Sequence, residues 1–255
     1  MTSALTMASK THIAGTPEVW SAGRIGSLDQ FRGYCVAVML VVNFCDGLKA
    51  VPEWIRHHDT YFSYADSIMP GFVFAVGFSY RLTMLRRISR DGAAKAYLHA
   101  VQRGLALVLV SLVMYGFNDS FVSTWADVSR SQVRDFLAGL VKANLWETLA
   151  IIGVSQVVIL PFIGRRPWVV QVAMVGLMVT HMLACHSFNV AFIFGQPNWM
   201  NDFFGVPTLT CWDGGCFGLI AWGAIMLAGA VAHDRVTGRT ASQMLSRLIL
   251  LSSVL

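Results

Sequence analysis

An all-α, polytopic transmembrane helix bundle is the fold class this sequence predicts, on three observations. The composition is too apolar for a soluble domain, apolar runs of bilayer length recur along the chain, and Lys and Arg crowd into alternate connecting segments. Hydrophobic residues make up 55% of the chain and charged residues 13%, with a mean hydropathy of +0.58, where soluble domains carry roughly 25% charged residues. A bilayer core of ~30 Å takes about 20 helical residues at a rise of ~1.5 Å each.

Six complete spans are read in order. The first, 31–48, follows Ser27 and Asp29, which read as a helix N-cap and an acidic first turn. The second, 63–85, and the third, 104–117, have short purely apolar stretches, so Arg81 and Arg103 are expected to snorkel to the interface. The fourth covers 145–163, the fifth 168–185 and the sixth 217–233. An apolar run at 245–255 opens a seventh span that stops with the sequence, which predicts a chain incomplete at its C-terminus. Residues 1–23 read as a polar cytoplasmic tail and 24–255 as one membrane domain without internal repeats. The tail has no apolar core followed by a small-residue cleavage pattern, so no signal peptide is expected.

Orientation follows from the basic residues. Fourteen Lys and Arg fall on the side of the N-terminus and five on the other, which predicts a cytoplasmic N-terminus in a cell inner or plasma membrane. The net charge of +5 therefore speaks of topology and anionic lipid headgroups rather than nucleic acid. Cys35 sits within the first span, while Cys45, Cys185, Cys211 and Cys216 fall at or beyond outer ends, where a disulfide is chemically allowed but its pairing is not legible. Two outer segments, 118–144 and 186–215, are long for connectors. The second carries Phe192, Phe194, Trp199, Phe203, Phe204 and Trp212, the composition of a lid or of interfacial anchors.

Polar residues within or beside spans are the candidates for chemistry, because hydrocarbon penalises them unless they face a cavity, a partner or water. Arg32, one turn on from Asp29, reads either as its ion-pair partner or as a contact for a phosphate-bearing ligand. Asn43 closes the first span. His57 and His58 follow it, then Asp66, which could orient an imidazole or cap the second span. His181 in the fifth span suggests a hydrogen bond to a neighbouring helix or a proton relay. Lys142 and Glu147 suggest a mutual ion pair or an acceptor contact, and His233 with Asp234 suggests residues of the inner interface. The histidines lack metal-ligand spacing and the glycines a phosphate-loop pattern, so no metal is expected.

The order Ser27-Leu28-Asp29-x-Phe31-Arg32-Gly33, then Val42-Asn43, a His, Ala65-Asp66, Pro70, Phe72-Val73-Phe74 and Gly77 resembles the opening of the catalytic domain of the heparan-α-glucosaminide N-acetyltransferase family. Weaker similarity continues through Arg103 and the Asp213-Gly214-Gly215 turn. Two segments depart from the pattern. Leu145-Trp146-Glu147-Thr148-Leu149 stands where a Leu-Gln-Arg-Ile-like stretch is expected, and Asp213-Gly214-Gly215-Cys216 replaces an Asp-Pro-Glu-Gly turn, as in a divergent branch.

The resemblance implies an acyl-CoA-dependent transferase that takes acetyl from cytosolic acetyl-CoA to an amine or hydroxyl of an extracytoplasmic amino sugar or glycan. It implies a catalytic His assisted by an Asn, by position His58 and Asn43, with His57 as rival and Asp66 as the orienting carboxylate. Tyr61, three residues beyond His58, favours His58. Arg32, Arg103 and Asp29 are the expected donor-binding residues. An imidazole can take a proton from an amine or carry the acyl group, and an Asn amide can donate to a developing oxyanion. Membrane lipid, acyl-CoA and the glycan are the expected partners, nucleic acid is not, and a homodimer is carried as an expectation. The rival class is a transporter or channel-like protein that keeps Arg32, Asn43, Asp66 and His181 for solute passage.

Overall fold

The computed structural model describes residues 26–45, 48, 50–58, 61–116, 129–206 and 208–237. The chain divides into a unit Gly26–Asp234 and a second made of Met1–Ile25 and Arg235–Leu255. Only residues 235–237 of the second are described, so the expected tail 1–23 and the apolar run 245–255 lie outside the described residues.

Every regular element among the described residues is helical. α1 is Gly26–Cys45, α2 Tyr64–Asp91 and α3 Ala93–Ser111, the last continued by a π turn, Leu112–Gly116. α4, Arg130–Gly139, runs into a second π turn, Leu140–Asn144. α5 is Thr148–Val158 and α6 Leu160–Ile163. α7, Pro167–Ala184, continues through a π turn, Cys185–Asn189, into α8, Val190–Ile193. α9, Trp199–Phe204, and α10, Gly215–Val236, complete the set.

Five of these segments are long and apolar enough to cross a membrane: Gly26–Cys45, Tyr64–Asp91, Ala93–Tyr115, Pro167–Ile193 and Gly215–Val236. They match five of the six expected spans. The expected fourth span is instead broken. Pro161 has no N–H to donate to the Val157 carbonyl, and α5 and α6 part at Ile159. Arg130–Asn144 and Thr148–Val158 together pass as a sixth span only across an 80° bend. Ser27 falls inside the first turn of α1 rather than ahead of it.

α2 organises the bundle. Ser63 and Asp66 form a reciprocal capping box at its start, which satisfies orphan amides of the first turn. Its middle packs Val73, Val76, Tyr80 and Met84 against Ile152, Ile159 and Ile163 of the α5–α6 region and Met226, Leu227 and Ala230 of α10. The α2–α10 approach is backbone to backbone. A Cβ on Gly229 would lie 2.8 Å from the Phe78 amide nitrogen and still closer to the Phe74 carbonyl, and one on Gly77 would overlap the Met226 carbonyl. Small residues at such a crossing let two membrane helices meet at backbone distance.

Arg81 does not snorkel. Its side chain is 3% exposed and pairs with Asp234 of α10 through Nε to Oδ1 and Nη2 to Oδ2, both 3.0 Å, while Nη1 donates to the Ile163 carbonyl. The guanidinium's fixed fork suits this bidentate arrangement. Asp234 and the buried His233, expected at the interface, are thus part of the inner packing of α2, α6 and α10. Lys142 also departs from expectation: it is fully buried, donates from Nζ to the Val206 carbonyl at 2.9 Å, and sits 5.1 Å from the Phe192 ring centroid. It makes no ion pair with Glu147. His181 meets Cys185 one turn along its own helix, Sγ to Nε2 3.4 Å, rather than a neighbouring helix. All five cysteines are free thiols.

Candidate functional site

Two cavities are built on α2 and α5. One, about 690 Å³ and named the outer cavity for the α1–α2 connection that forms its rim, is walled by Asn43 in the last turn of α1, His57 and His58 in that connection, and Asp66 and Met69 at the start of α2. Thr148 at the start of α5 and Trp222 of α10 complete it, together with Glu147 and Asp213. The inner one, about 220 Å³, is walled by Arg32 in the first half of α1, Phe72, Ser79, Tyr80 and Thr83 further along α2, Arg103 of α3, and Leu149, Ile152 and Gln156 of α5. Their linings are neighbours in sequence at two places: Met69 and Pro70 of the outer precede Phe72 of the inner on α2, and Thr148 precedes Leu149 on α5. The outer cavity draws on the last turn of α1 and the first turns of α2 and α5. The inner draws on the first half of α1, the middle turns of α2 and α5 from Leu149 to Gln156, so the two are displaced from each other along the helices.

All four residues expected at the reaction centre line the outer cavity, and Arg32 and Arg103 line the inner one. Asp29 lies in the first turn of α1 and lines neither.

His57 and His58 hold different partners. His57 Nδ1 lies 2.7 Å from Asp66 Oδ1. The other carboxylate oxygen of Asp66 accepts from the Ser63 amide at 2.8 Å and the Ser63 hydroxyl at 2.9 Å. Asp66 therefore fills both roles that the sequence left open, capping α2 and orienting an imidazole, and the imidazole it orients is that of His57. With Nδ1–H donated to the carboxylate, Nε2 of His57 keeps its lone pair for a proton or an acyl carbon. His58 instead approaches the Glu53 carbonyl with Nε2 at 2.8 Å and stacks on Tyr61 at 4.2 Å between centroids, which leaves its Nδ1 as the acceptor. Asn43 is exposed on the cavity wall, so its amide is available to an oxygen that gains charge there.

Asp213 is a member of the outer cavity that sequence reasoning placed in a motif turn without giving it a role at the site. It takes φ 51°, followed by Gly214 at 85° and Gly215 at 58°. This run of left-handed residues asks for glycine or a short polar side chain. Trp222 Nε1 donates to the Asp213 carbonyl at 2.9 Å and holds the turn onto α10. Desolvation by the surrounding protein, reinforced by the charge of Glu147, pushes its carboxyl up to about 6, and His57 acts in the opposite sense. A Gly-Gly pair after an Asp at the mouth of a span was the available signal.

Gln156 is the second such residue. It is 2% exposed, its backbone carbonyl accepts from the Tyr80 hydroxyl at 3.4 Å, and its side-chain Oε1 has no hydrogen-bond partner. Arg32 is similar: its Cζ sits 6.0 Å from the Phe72 ring centroid, and its buried Nε has no partner. Among the described residues no group of three or more His, Cys, Asp or Glu is gathered as a metal would require.

The family model for the heparan-alpha-glucosaminide N-acetyltransferase catalytic region matches residues 24–251 of the chain. No curated protein and no solved structure compared with the chain matches it.

Proposed function

Because the chain belongs to the heparan-alpha-glucosaminide N-acetyltransferase catalytic family, we propose that it moves an acetyl group from cytosolic acetyl-CoA to an amine or hydroxyl of an extracytoplasmic sugar or glycan. The observation that carries this reading is the pair of cavities built on α2 and α5, the inner cationic through Arg32 and Arg103 and the outer rich in imidazole and carboxylate. An anionic donor entering from the cytoplasm meets guanidinium groups, which bind phosphate and carbonyl oxygens well. Its thioester end reaches the stretch of α2 between Met69 and Phe72. The acceptor enters from the far side, and the N-terminus of the chain lies in the cytoplasm.

There the acceptor nitrogen or oxygen bonds to the thioester carbonyl carbon while an imidazole takes its proton. The tetrahedral oxygen receives a hydrogen bond from the Asn43 amide, the carbon–sulfur bond breaks, and the proton returns to the leaving thiolate. His57 is the residue whose geometry fits this base, since the carboxylate of Asp66 fixes its tautomer and stabilises the imidazolium. The claim of His58 rests on motif position and on its stacking with Tyr61.

The test uses membranes containing the protein, radiolabelled acetyl-CoA supplied from the cytoplasmic side, and a panel of amino sugars, comparing wild type with His57→Ala and His58→Ala. Label reaching a sugar in wild type and lost in either variant supports the enzyme and ranks the histidines. Absence of both label transfer and CoA release, with passage of a radiolabelled solute instead, would overturn the transferase in favour of a transporter.

A further inference from the structure

We propose that Gln156 selects the donor: its free Oε1 accepts the N–H of a secondary amide in the arm of an acyl thioester lodged in the inner cavity. This rests on the donor reading above and names a contact within it.

Buried polar atoms are rarely left without a partner, so each one that is asks for a group to meet it. Gln156 is almost wholly buried and its Oε1 is such an atom, on the wall of a cavity large enough to admit a ligand. The same lining presents Arg32, whose buried Nε is an unanswered donor, and Arg103. The cavity thus offers cationic donors on α1 and α3 and a bare acceptor on α5.

Ligand classes fare differently against that pattern. A phosphate or carboxylate would meet the guanidinium groups but present only acceptors to an acceptor oxygen. An alkyl chain would answer neither side. A secondary amide carries one N–H and one C=O in a rigid plane, and so answers Gln156 with the first and an arginine with the second. At about 220 Å³ the cavity suits a slender arm carrying amides and ending in a thioester, with any nucleotide left outside. The hydroxyls of Tyr80 and Ser79 already donate to the Gln156 and Ala75 carbonyls, so they offer lone pairs to a ligand rather than a donor to Gln156 Oε1.

The test measures acetyl transfer by the full chain in membranes from two small donors, S-acetyl-N-acetylcysteamine and the analogue in which the amide N–H is replaced by an ester oxygen. Wild type is expected to favour the amide donor by roughly tenfold in kcat/KM, the size of one buried hydrogen bond. In Gln156→Leu that ratio should fall to within about twofold, and Gln156→Glu, which keeps an acceptor oxygen, should restore it. A general packing defect would lower both donors alike and leave the ratio unmoved. An unchanged ratio in Gln156→Leu, in a protein that still uses acetyl-CoA, overturns the assignment of Gln156 and leaves the transferase standing. A wild type that neither binds CoA nor releases it from acetyl-CoA overturns the donor reading and this inference with it.

Discussion

Asp66 holds two jobs in one carboxylate, and substitution can separate them. Oδ2 closes the capping box with Ser63, and Oδ1 lies 2.7 Å from His57 Nδ1. Asp66→Asn keeps an oxygen for the Ser63 amide but removes the charge, so the amide can present its NH₂ to His57 and select the wrong tautomer. Loss of a tautomer-fixing carboxylate of this kind lowers turnover by roughly 10²- to 10⁴-fold. Ser63→Ala removes only the hydroxyl half of the cap. The Ser63 amide still donates to Asp66 and His57 still meets Oδ1, so the cost should be about 1 kcal/mol of stability with turnover close to wild type. The assay pairs transfer of label from acetyl-CoA in membranes with thermal unfolding of the detergent-solubilised protein. Asp66→Asn should lose turnover far beyond its loss of stability, and Ser63→Ala should lose stability alone. If both variants lose turnover in proportion to stability, Asp66 is a helix cap and nothing more.

Three further outcomes are expected. Gly229→Ala should fail to assemble or unfold well below wild type in fluorescence-detected size-exclusion chromatography, because its Cβ would lie 2.8 Å from the Phe78 nitrogen and α2 and α10 have no side chain there to give way. Arg81→Met should lose about 3–5 kcal/mol by stranding Asp234 in a buried site, whereas Arg81→Met with Asp234→Leu should recover most of it, both read by chemical denaturation in detergent. Asp213, raised to about 6 by desolvation and by the neighbouring Glu147, binds its proton more tightly folded than unfolded, so its ionisation destabilises the fold as pH rises from about 4 through 6. Asp213→Asn should therefore match wild type in Tm at pH 4 and exceed it at pH 8, while its KM for a cationic amine acceptor rises at the higher pH.

Hydropathy made five spans legible because an unbroken apolar helix announces itself over about 20 residues. The fourth was read too simply. Pro161 signals a break, but the run 145–163 looks continuous when apolarity alone is scored. The outer site was largely legible as well, since Asn43, His57, His58 and Asp66 sit on consecutive elements that converge once α1 turns back into α2. Arg81 illustrates what was not. Its place beside a short apolar stretch suggests an interface, and only tertiary structure brings it to Asp234, a residue 153 positions away. Gln156 and Asp213 were hidden for a related reason. A lone amide in an apolar run and an acid in a glycine turn acquire meaning from the cavities they face, and the cavities are made by helices far apart in sequence.

The charges on the two linings bear on whether one solute passes through or two substrates meet. The outer cavity collects the carboxyl groups of Asp66, Glu147 and Asp213, and the inner collects the guanidinium groups of Arg32 and Arg103. A single transported solute would have to be welcomed by both linings in turn, and any net charge that favours one disfavours the other. Two substrates of opposite character need satisfy only one lining each: an anionic donor on the cationic side and a cationic or hydroxyl-bearing acceptor on the acidic side. Where the two linings come nearest along the chain they present Met69, Phe72 and Leu149, apolar side chains that would help to keep water from a thioester and an acceptor meeting there. α2 fixes the spacing of the two linings, because Asp66 and Tyr80 stand fourteen residues apart on one helix, ~21 Å at the helical rise. That same helix is pinned to α10 by the glycine crossing and by the Arg81–Asp234 pair. Replacing the ion-pair pin by Arg81→Met with Asp234→Leu, which recovers most of the stability, should therefore impair transfer without touching any residue of the cavities, and the impairment should appear in kcat more than in the KM of either substrate, since alignment rather than binding is what the pin secures.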